Sequence, residues 1–336
     1  MRVGLTLEIR NSPHRPQTWR ELWDDCLWLY QQAEALGFDS LLVQEHFFTE
    51  DGYAPSMPVF LTSLIERTSN ARVGSYVYIA PLHHPAQLAQ ETAVLDQLSG
   101  GRLDVSIGIG HRVAEYHAFG LNPRTRPSRM EEAIEILKLA WSGEPFSYQG
   151  RYHSFERLQV KPEPLQQPHP PLWLAATTAA PAERAGRHGL NLAGASVDPE
   201  VHAAYREALA ANGRDAASVR VSNPWSITVT DEDPEAVWER NKQHYFHRWD
   251  YYRKIRAEIG DPDLQYGLEP AADTYRQNEL IGDAATVLAT LEPFVRDLGL
   301  TDVVLFGPAP GIDLRRDGHE SVVRFAEQVM PVLKSW

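Results

Sequence analysis

Short runs of branched apolar residues alternate with helix-patterned stretches along the chain, about eight times, with no linker between them. Parallel strands need a crossover long enough to hold a helix. Strands alternating with helices therefore imply a parallel sheet with helical crossovers. About eight units in 336 residues fit a closed α/β architecture, a TIM-like (β/α)8 barrel with insertions, better than an open doubly wound sheet. One domain over residues 1–336 is expected.

Local signals place the elements. Residues 3–7, 40–43, 73–79 and 103–107 read as strands, as do 172–175, 190–193, 219–229 and 302–306. Thr18 and Glu21 have capping-box spacing ahead of Trp19, Leu22, Cys26, Leu29, Ala33 and Leu36, which recur at helical period up to a stop at Gly37. Pro85 opens a helix that should turn Leu88, Thr92, Leu95 and Leu98 inward. Further helices are expected at 58–68, 131–141, 181–188 and 199–212, from Pro234, and from about 318 to 335. Pro293 should kink or split the helix at 284–298. Two stretches break the rhythm. Residues 143–170, rich in Gly, Pro and aromatics, read as an excursion with a small hairpin. Residues 242–282 lack clean periodicity and suit an active-site flap.

Bulk properties narrow the function. The net charge is −13, from 32 basic and 45 acidic residues, which argues against a nucleic-acid binder. A single cysteine, Cys26, excludes an internal disulfide and a multi-cysteine metal cluster, and a cytoplasmic setting fits. No leader pattern and no apolar run of membrane-spanning length is expected.

In a barrel, chemistry belongs at the C-terminal ends of the strands. Glu45 and His46 stand at such an end, directly after Leu41–Val43. A histidine there can act as a general acid or base; the structural alternative is a ring wedged under a loop. Ser106–Gly110 ends the strand at 103–107 with Gly108 and Gly110, which allow a flat or anionic ligand to approach the backbone. It is not a dinucleotide fingerprint, because Val113 takes the third glycine position; a tight barrel turn is the alternative. Ala176, Thr177 and Thr178 lie between a strand end and a helix opening with Pro181, a pattern that serves phosphate binding or plain N-capping. His111 and Arg112 can face the same mouth. His83 and His84, adjacent in a turn, do not make a metal pair, and no metal is expected. Tyr245, Phe246, Trp249, Tyr251 and Tyr252 could line a pocket or fill core.

Taken together, these stretches resemble the bacterial luciferase-like, flavin-dependent monooxygenases over nearly the whole chain. The motifs fall in family order: Glu34–Asp39, Glu45-His46-Phe47 with Phe48–Glu50, His84-Pro85, and Leu95–Arg102 with the 108–110 turn. Glu115, Gly120, Pro171–Ala176 and Ile281–Asp283 follow. The resemblance implies reduced FMN from a separate flavin reductase, O2 as co-substrate, and oxygenation of a small aldehyde, ketone or similar molecule through a C4a-peroxyflavin. A homodimer is the family habit. FMN contacts map onto Glu45, a bulge at Tyr76–Val77 that often holds a non-proline cis peptide, Gly108 and Ile109. The phosphate maps onto Thr177 and Thr178 beside Ala176, and the catalytic histidine onto His46.

Two departures from the luciferases matter. Gly108 stands where they carry a reactive cysteine, so light emission is not expected. Ile109 stands where they carry a phosphate-binding arginine, so FMN binding should be weak unless His111 or Arg112 substitutes. The alternatives are an F420-dependent oxidoreductase of the same superfamily and a non-catalytic flavin-binding protein.

Overall fold

The computed structural model describes residues 1–194, 196–259 and 272–336. Strand β1 (Arg2–Leu7) leads through a long loop to helix α1 (Trp19–Ala35), whose first turn is closed by the full capping box of Thr18 and Glu21. Next come β2 (Ser40–Val43), α2 (Met57–Ile65), β3 (Arg72–Ser75), β4 (Tyr78–Ile79), α3 (Pro85–Leu98), β5 (Leu103–Gly108), α4 (Val113–Ala118) and α5 (Arg126–Ala140). Residues 143–170 carry an antiparallel hairpin of β6 (Phe146–Gln149) and β7 (Ser154–Leu158). Then follow β8 (Leu172–Ala175), α6 (Ala179–His188), β9 (Asn191–Ala193), α7 (Pro199–Ala211), β10 (Ser222–Val229) and α8 (Pro234–Ile259). The chain closes with α9 (Ala272–Gln277), β11 (Glu279–Gly282), α10 (Ala284–Leu298), β12 (Asp302–Phe306), α11 (Asp317–Arg324) and α12 (Met330–Ser335).

The main sheet runs β11-β10-β12-β1-β2-β3-β5-β8-β9, with β4 paired to β5, and its ladders are parallel. A parallel bridge between Leu192 and Val221 joins β9 to the foot of β10 and closes the ring, while β11 lies along the upper half of β10. The fold is therefore the TIM-like barrel expected. Its wall is filled by Leu5, Leu41, Val73, Val105, Leu174, Leu192 and Val303, all essentially inaccessible. The N-terminal end is sealed by polar pairs: Arg72 Nε donates to Asp104 at 2.7 Å, and Arg220 lies 4.7 Å over the Trp173 ring while pairing with Asp302. Among the described residues no helix is long and apolar enough to cross a membrane.

Several elements differ from their sequence expectation. The strand expected at 73–79 is split by a cis peptide at Tyr76–Val77. Across the split, Ser75 Oγ donates to Ser106 O (2.8 Å) and accepts from Ser106 N–H (2.7 Å), a side chain standing in for the missing ladder bonds. Helix α5 begins five residues early, because Pro127 sits in its first turn, where a missing N–H costs nothing. Helix α10 runs unbroken through Pro293, which is exposed along with Ala289, so water can take the carbonyl the proline leaves unpaired. The last helix is interrupted by a π turn at Phe325–Val329, where Met330 N–H reaches back to Phe325 O just ahead of Pro331. Leu98, expected inward, is 51% exposed.

The flap expected at 242–282 is largely regular structure. Residues 242–259 complete α8, and 272–277 and 279–282 are α9 and β11; residues 260–271 lie outside the described residues. Helix α8 does have a periodic inner face, formed by Val237, Trp238, His244, Tyr245, Arg248 and Ile255. A histidine and an arginine at buried positions disguise it as polar.

Candidate active site

The loop after β2 carries Glu45 and His46, both buried. They point to different partners. Glu45 accepts from the Ile79 amide (2.8 Å) and meets His83 Nε2 at 2.9 Å, so it ties β2 to the segment beyond the cis bulge. Burial pulls the His83 pKa down, but the bond and charge of Glu45 outweigh it and the net shift is upward. His46 faces the other way. Its Nδ1 lies 3.2 Å from the Tyr251 hydroxyl and 3.7 Å from Glu115, and its ring packs on Tyr53 at 4.2 Å and edges His111 at 5.7 Å. Among the described residues Nε2 of His46 makes no hydrogen bond, and it is not among the atoms sealed from solvent.

Glu115, on α4, is the hub of this cluster. It accepts from the Phe47 amide at 2.9 Å and lies 3.4 Å from Arg112 Nη1. Burial alone would raise its pKa, yet His46, the Phe47 amide and Arg112 together hold it below the usual range. Arg112 Nη1 also donates to Phe47 O at 2.6 Å. The 108–112 turn is thereby latched onto the β2 loop across the end of β3.

On the far side of His46, α8 lies over the mouth. Arg10 is sandwiched between the rings of Tyr53 (4.9 Å) and Tyr251 (4.6 Å) and bonds to Asp51 (2.6 Å) and Glu8 (3.3 Å). Arg248 projects down from α8 to Glu8, Ser226, Glu279 (3.2 Å) and Gly307 O (2.6 Å). Arg248, Glu8 and Glu279 have side-chain exposures of 1% or less. The aromatic group at 245–252 therefore splits: Tyr245 packs in a core cluster with Trp238, whereas Tyr251 and Tyr252 meet Tyr53 at the mouth.

The third part lies over β5 and β8. Tyr76 reaches across to accept from Gly194 N–H at 3.0 Å, and half-buried Val77 packs against Gly108. The glycines have a packing reason of their own. A Cβ on Gly108 would come within 2.7 Å of Val77, and one on Gly110, at φ +67°, within 2.6 Å of Ile79. The tight-turn alternative thus accounts for both. Ile109 is half-buried and its carbonyl accepts from Tyr116 at 2.5 Å. Ala176 is buried, while Thr177 and Thr178 are exposed; Thr178 is the N-cap of α6 but makes no side-chain capping bond. Pro181 has no N–H and the Ala182 amide donates to Thr178 O, but the Ala179 and Ala180 amides and the two hydroxyls make no hydrogen bond among the described residues, a donor set that fits a phosphate.

The structure brings His46, His111 and Arg112 into one cluster around Glu115, and packs Val77, Gly108 and Ala175 into another. Thr177 and Thr178 stand apart. Strands β2 and β8 are three sheet positions from each other, about 14 Å at the usual strand spacing. Cavities of about 340 Å³ between α1 and α2, and about 220 Å³ beside His14 and His244, include none of these residues. Sequence reasoning missed Arg10, Tyr53 and Arg248, and the bond of His83 to Glu45, because the partners are remote in the chain. Arg10 lies in a polar stretch, Glu8 to Arg15, that gives no local sign of its burial.

A closed parallel barrel with a histidine–carboxylate cluster at its strand C-termini and an open helix N-terminus three strands away on the same rim is the architecture of a ligand-binding barrel enzyme. Comparison with known proteins makes the assignment: the chain belongs to the luciferase-like monooxygenase family, whose model matches residues 1–302. It is 27% identical to the oxygenase component of the flavin-dependent trigonelline monooxygenase of Acinetobacter baylyi, over 98% of this chain and 95% of that protein. It is 29% identical to the F420-dependent glucose-6-phosphate dehydrogenase of Kineococcus radiotolerans, over 90% and 91%. A 37% match to y4wF, an uncharacterised protein of Sinorhizobium fredii, spans only 50% of this chain and 49% of that one. The monooxygenase RslO1 of Streptomyces bottropensis superimposes with a TM-score of 0.85 at 23% identity, covering 99% of this chain and 100% of that one. Flavin-dependent monooxygenases and F420-dependent enzymes thus both stand among its relatives.

Proposed function

We propose that the protein is the oxygenase of a two-component system, taking reduced FMN from a separate reductase and using O2 to oxygenate a small organic substrate. The observation that carries this reading is the state of His46: Nδ1 is held by Tyr251 and Glu115, while Nε2 has no partner among the described residues. An imidazole fixed on one nitrogen and free on the other is equipped to move a proton at a ligand. The Glu45-His46-Phe47 segment with the following Phe48-Thr49-Glu50 favours FMN over F420.

When bound, the reduced flavin supplies the oxygen chemistry; the chain supplies position, dryness and protons. The α6 N-terminus with Thr177 and Thr178 holds the phosphate through neutral donors, which suits loose, exchangeable binding. Val77, Gly108 and Ile109 form the floor under the ring system, with Tyr76 bracing the bulge from Gly194. Glu45 anchors that bulge through Ile79 N–H. Tyr251 and Tyr252 exclude water on the α8 side. His46 Nε2 exchanges the proton with substrate or oxidant.

The test is His46→Ala, assayed with FMNH2 under air and a panel of aldehydes, ketones and carboxylated aromatics. Oxygenated product should fall about 10²–10⁴-fold, while FMNH2 oxidation with release of hydrogen peroxide continues. Unchanged product yield removes His46 from the reaction. Titration with FMN and F420 side by side decides the cofactor; saturable binding of F420 alone transfers the site to hydride chemistry.

A further inference from the structure

Arg112 is only partly used. Its Nη1 is held by Phe47 O at 2.6 Å and by Glu115 at 3.4 Å. Nε and Nη2 make no hydrogen bond among the described residues, and neither is among the buried atoms left without a partner. With 15% of the side chain exposed, those two donors form the edge that meets solvent. A guanidinium edge of two parallel N–H bonds is the shape that receives a carboxylate.

Its setting is the His46 cluster. Glu115 Oε1 lies 3.4 Å from Arg112 Nη1 and 3.7 Å from His46 Nδ1, so cation and imidazole flank one carboxylate oxygen. Tyr251, hydrogen-bonded to His46, also feels the charge of Arg112. Phe47, whose carbonyl fixes the guanidinium, is half-buried and stands edge-on to Phe119 at 5.0 Å, giving an aromatic wall beside the cationic edge. The latch to Phe47 pulls Arg112 back over β3 toward β2, away from β8 and α6. It is therefore poorly placed to hold a phosphate at Thr177 and Thr178, the role the sequence left open for it.

We infer that Arg112 is a substrate anchor and that the substrate of this site is a small, flat molecule bearing a carboxylate. The carboxylate takes Nε and Nη2, the body lies against Phe47, and the group to be oxidised is brought to His46. Because Nη1 is already fixed, the fork is preorganised and little side-chain freedom is lost on binding. The inference deepens the proposed function and rests on it for the reaction, though not for the binding.

Calorimetric titration of the full chain with benzoate and nicotinate against benzamide and nicotinamide tests it without turnover. The acids should bind about ten- to a hundredfold more tightly than their amides, the range of a charge-assisted bond. Arg112→Met should erase that difference, and Arg112→Lys, which keeps the charge without the fork, should restore part of it. Equal affinity for acid and amide, no acid binding at all, or an undiminished difference in Arg112→Met overturns the inference. A parallel titration with FMN and riboflavin separates the alternatives. If Arg112→Met weakens FMN but not riboflavin, the fork holds the cofactor phosphate and the inference falls. If the wild type binds acids but no flavin, the cofactor assignment fails and the anchor stands. Should Arg112→Met not fold, Arg112→Lys carries the test, with a loss of about tenfold in acid affinity expected.

Discussion

The two sides of the barrel mouth treat charge in opposite ways. On the α8 side, Arg248, Glu8 and Glu279 are sealed from water, and the guanidinium has a partner on each nitrogen: Glu8 on Nε, Ser226 and Glu279 on Nη1, Gly307 O on Nη2. On the β2–β5 side, Arg112 and His46 each keep hydrogen-bonding capacity that no described residue uses. The first arrangement is a clamp. A buried ion pair gains little over apolar packing, but breaking it leaves an uncompensated charge. The second is a receptor, because unspent donors beside water cost little until a ligand takes them. The lesson is that a polar residue at a barrel mouth declares its role by its leftover capacity, not by its charge.

The largest test of that contrast is Arg248→Met. It should cost about 3–5 kcal/mol in chemical denaturation, since Glu8 and Glu279 lose their common counter-charge. Burial already raises the Glu279 pKa, and removing the arginine should raise it further. A carboxyl with a raised folded-state pKa favours the folded form while protonated, so the variant's deficit should grow as pH rises from about 4.5. Arg112→Met, on the receptor side, should cost less, about 1–2 kcal/mol, because Glu115 keeps the Phe47 amide and His46 as partners. Equal losses in the two variants would erase the distinction between clamp and receptor.

A smaller effect tests the tie between Glu45 and His83. The folded-state pKa of His83 is raised above its ordinary value of about 6.5. The stability it lends is therefore complete below pH 6.5 and is lost as pH rises through the raised value. Unfolding free energies of wild type and Glu45→Gln, measured from pH 6 to 9, should converge toward the alkaline end. Parallel curves across that range would assign the tie no electrostatic part.

The smallest expected change in stability belongs to Thr178→Ala. Its hydroxyl makes no capping bond, so thermal unfolding should move by only a few tenths of a kcal/mol, against about 1 kcal/mol for a working N-cap. FMN affinity should fall severalfold with riboflavin affinity unchanged. A substantial loss of stability with both flavins bound as before would return Thr178 to a structural role.

Much of the barrel was legible because its signals are local. The capping box at Thr18 and Glu21, the Gly37 stop and the Pro85 helix start act within a turn of helix. Element boundaries slipped where tertiary packing chose among allowed options, as at Arg126 and at the split of residues 73–79. The α8 segment was obscured because Arg248 occupies a core position, and a charge reads as surface until its partners are known.

What the chain determined alone was periodicity, caps and strand order in time, and these suffice for a (β/α)8 barrel because a crossover helix forces each strand to lie parallel to the last. Only the tertiary structure decided how the charged residues pair. Glu8 meets Arg248 from 240 positions away, and Glu115 reaches the Phe47 amide from 68. Coulomb and hydrogen-bond energies depend on distance in space, and no local pattern encodes which of many remote partners the closing of a ring will bring within 3 Å.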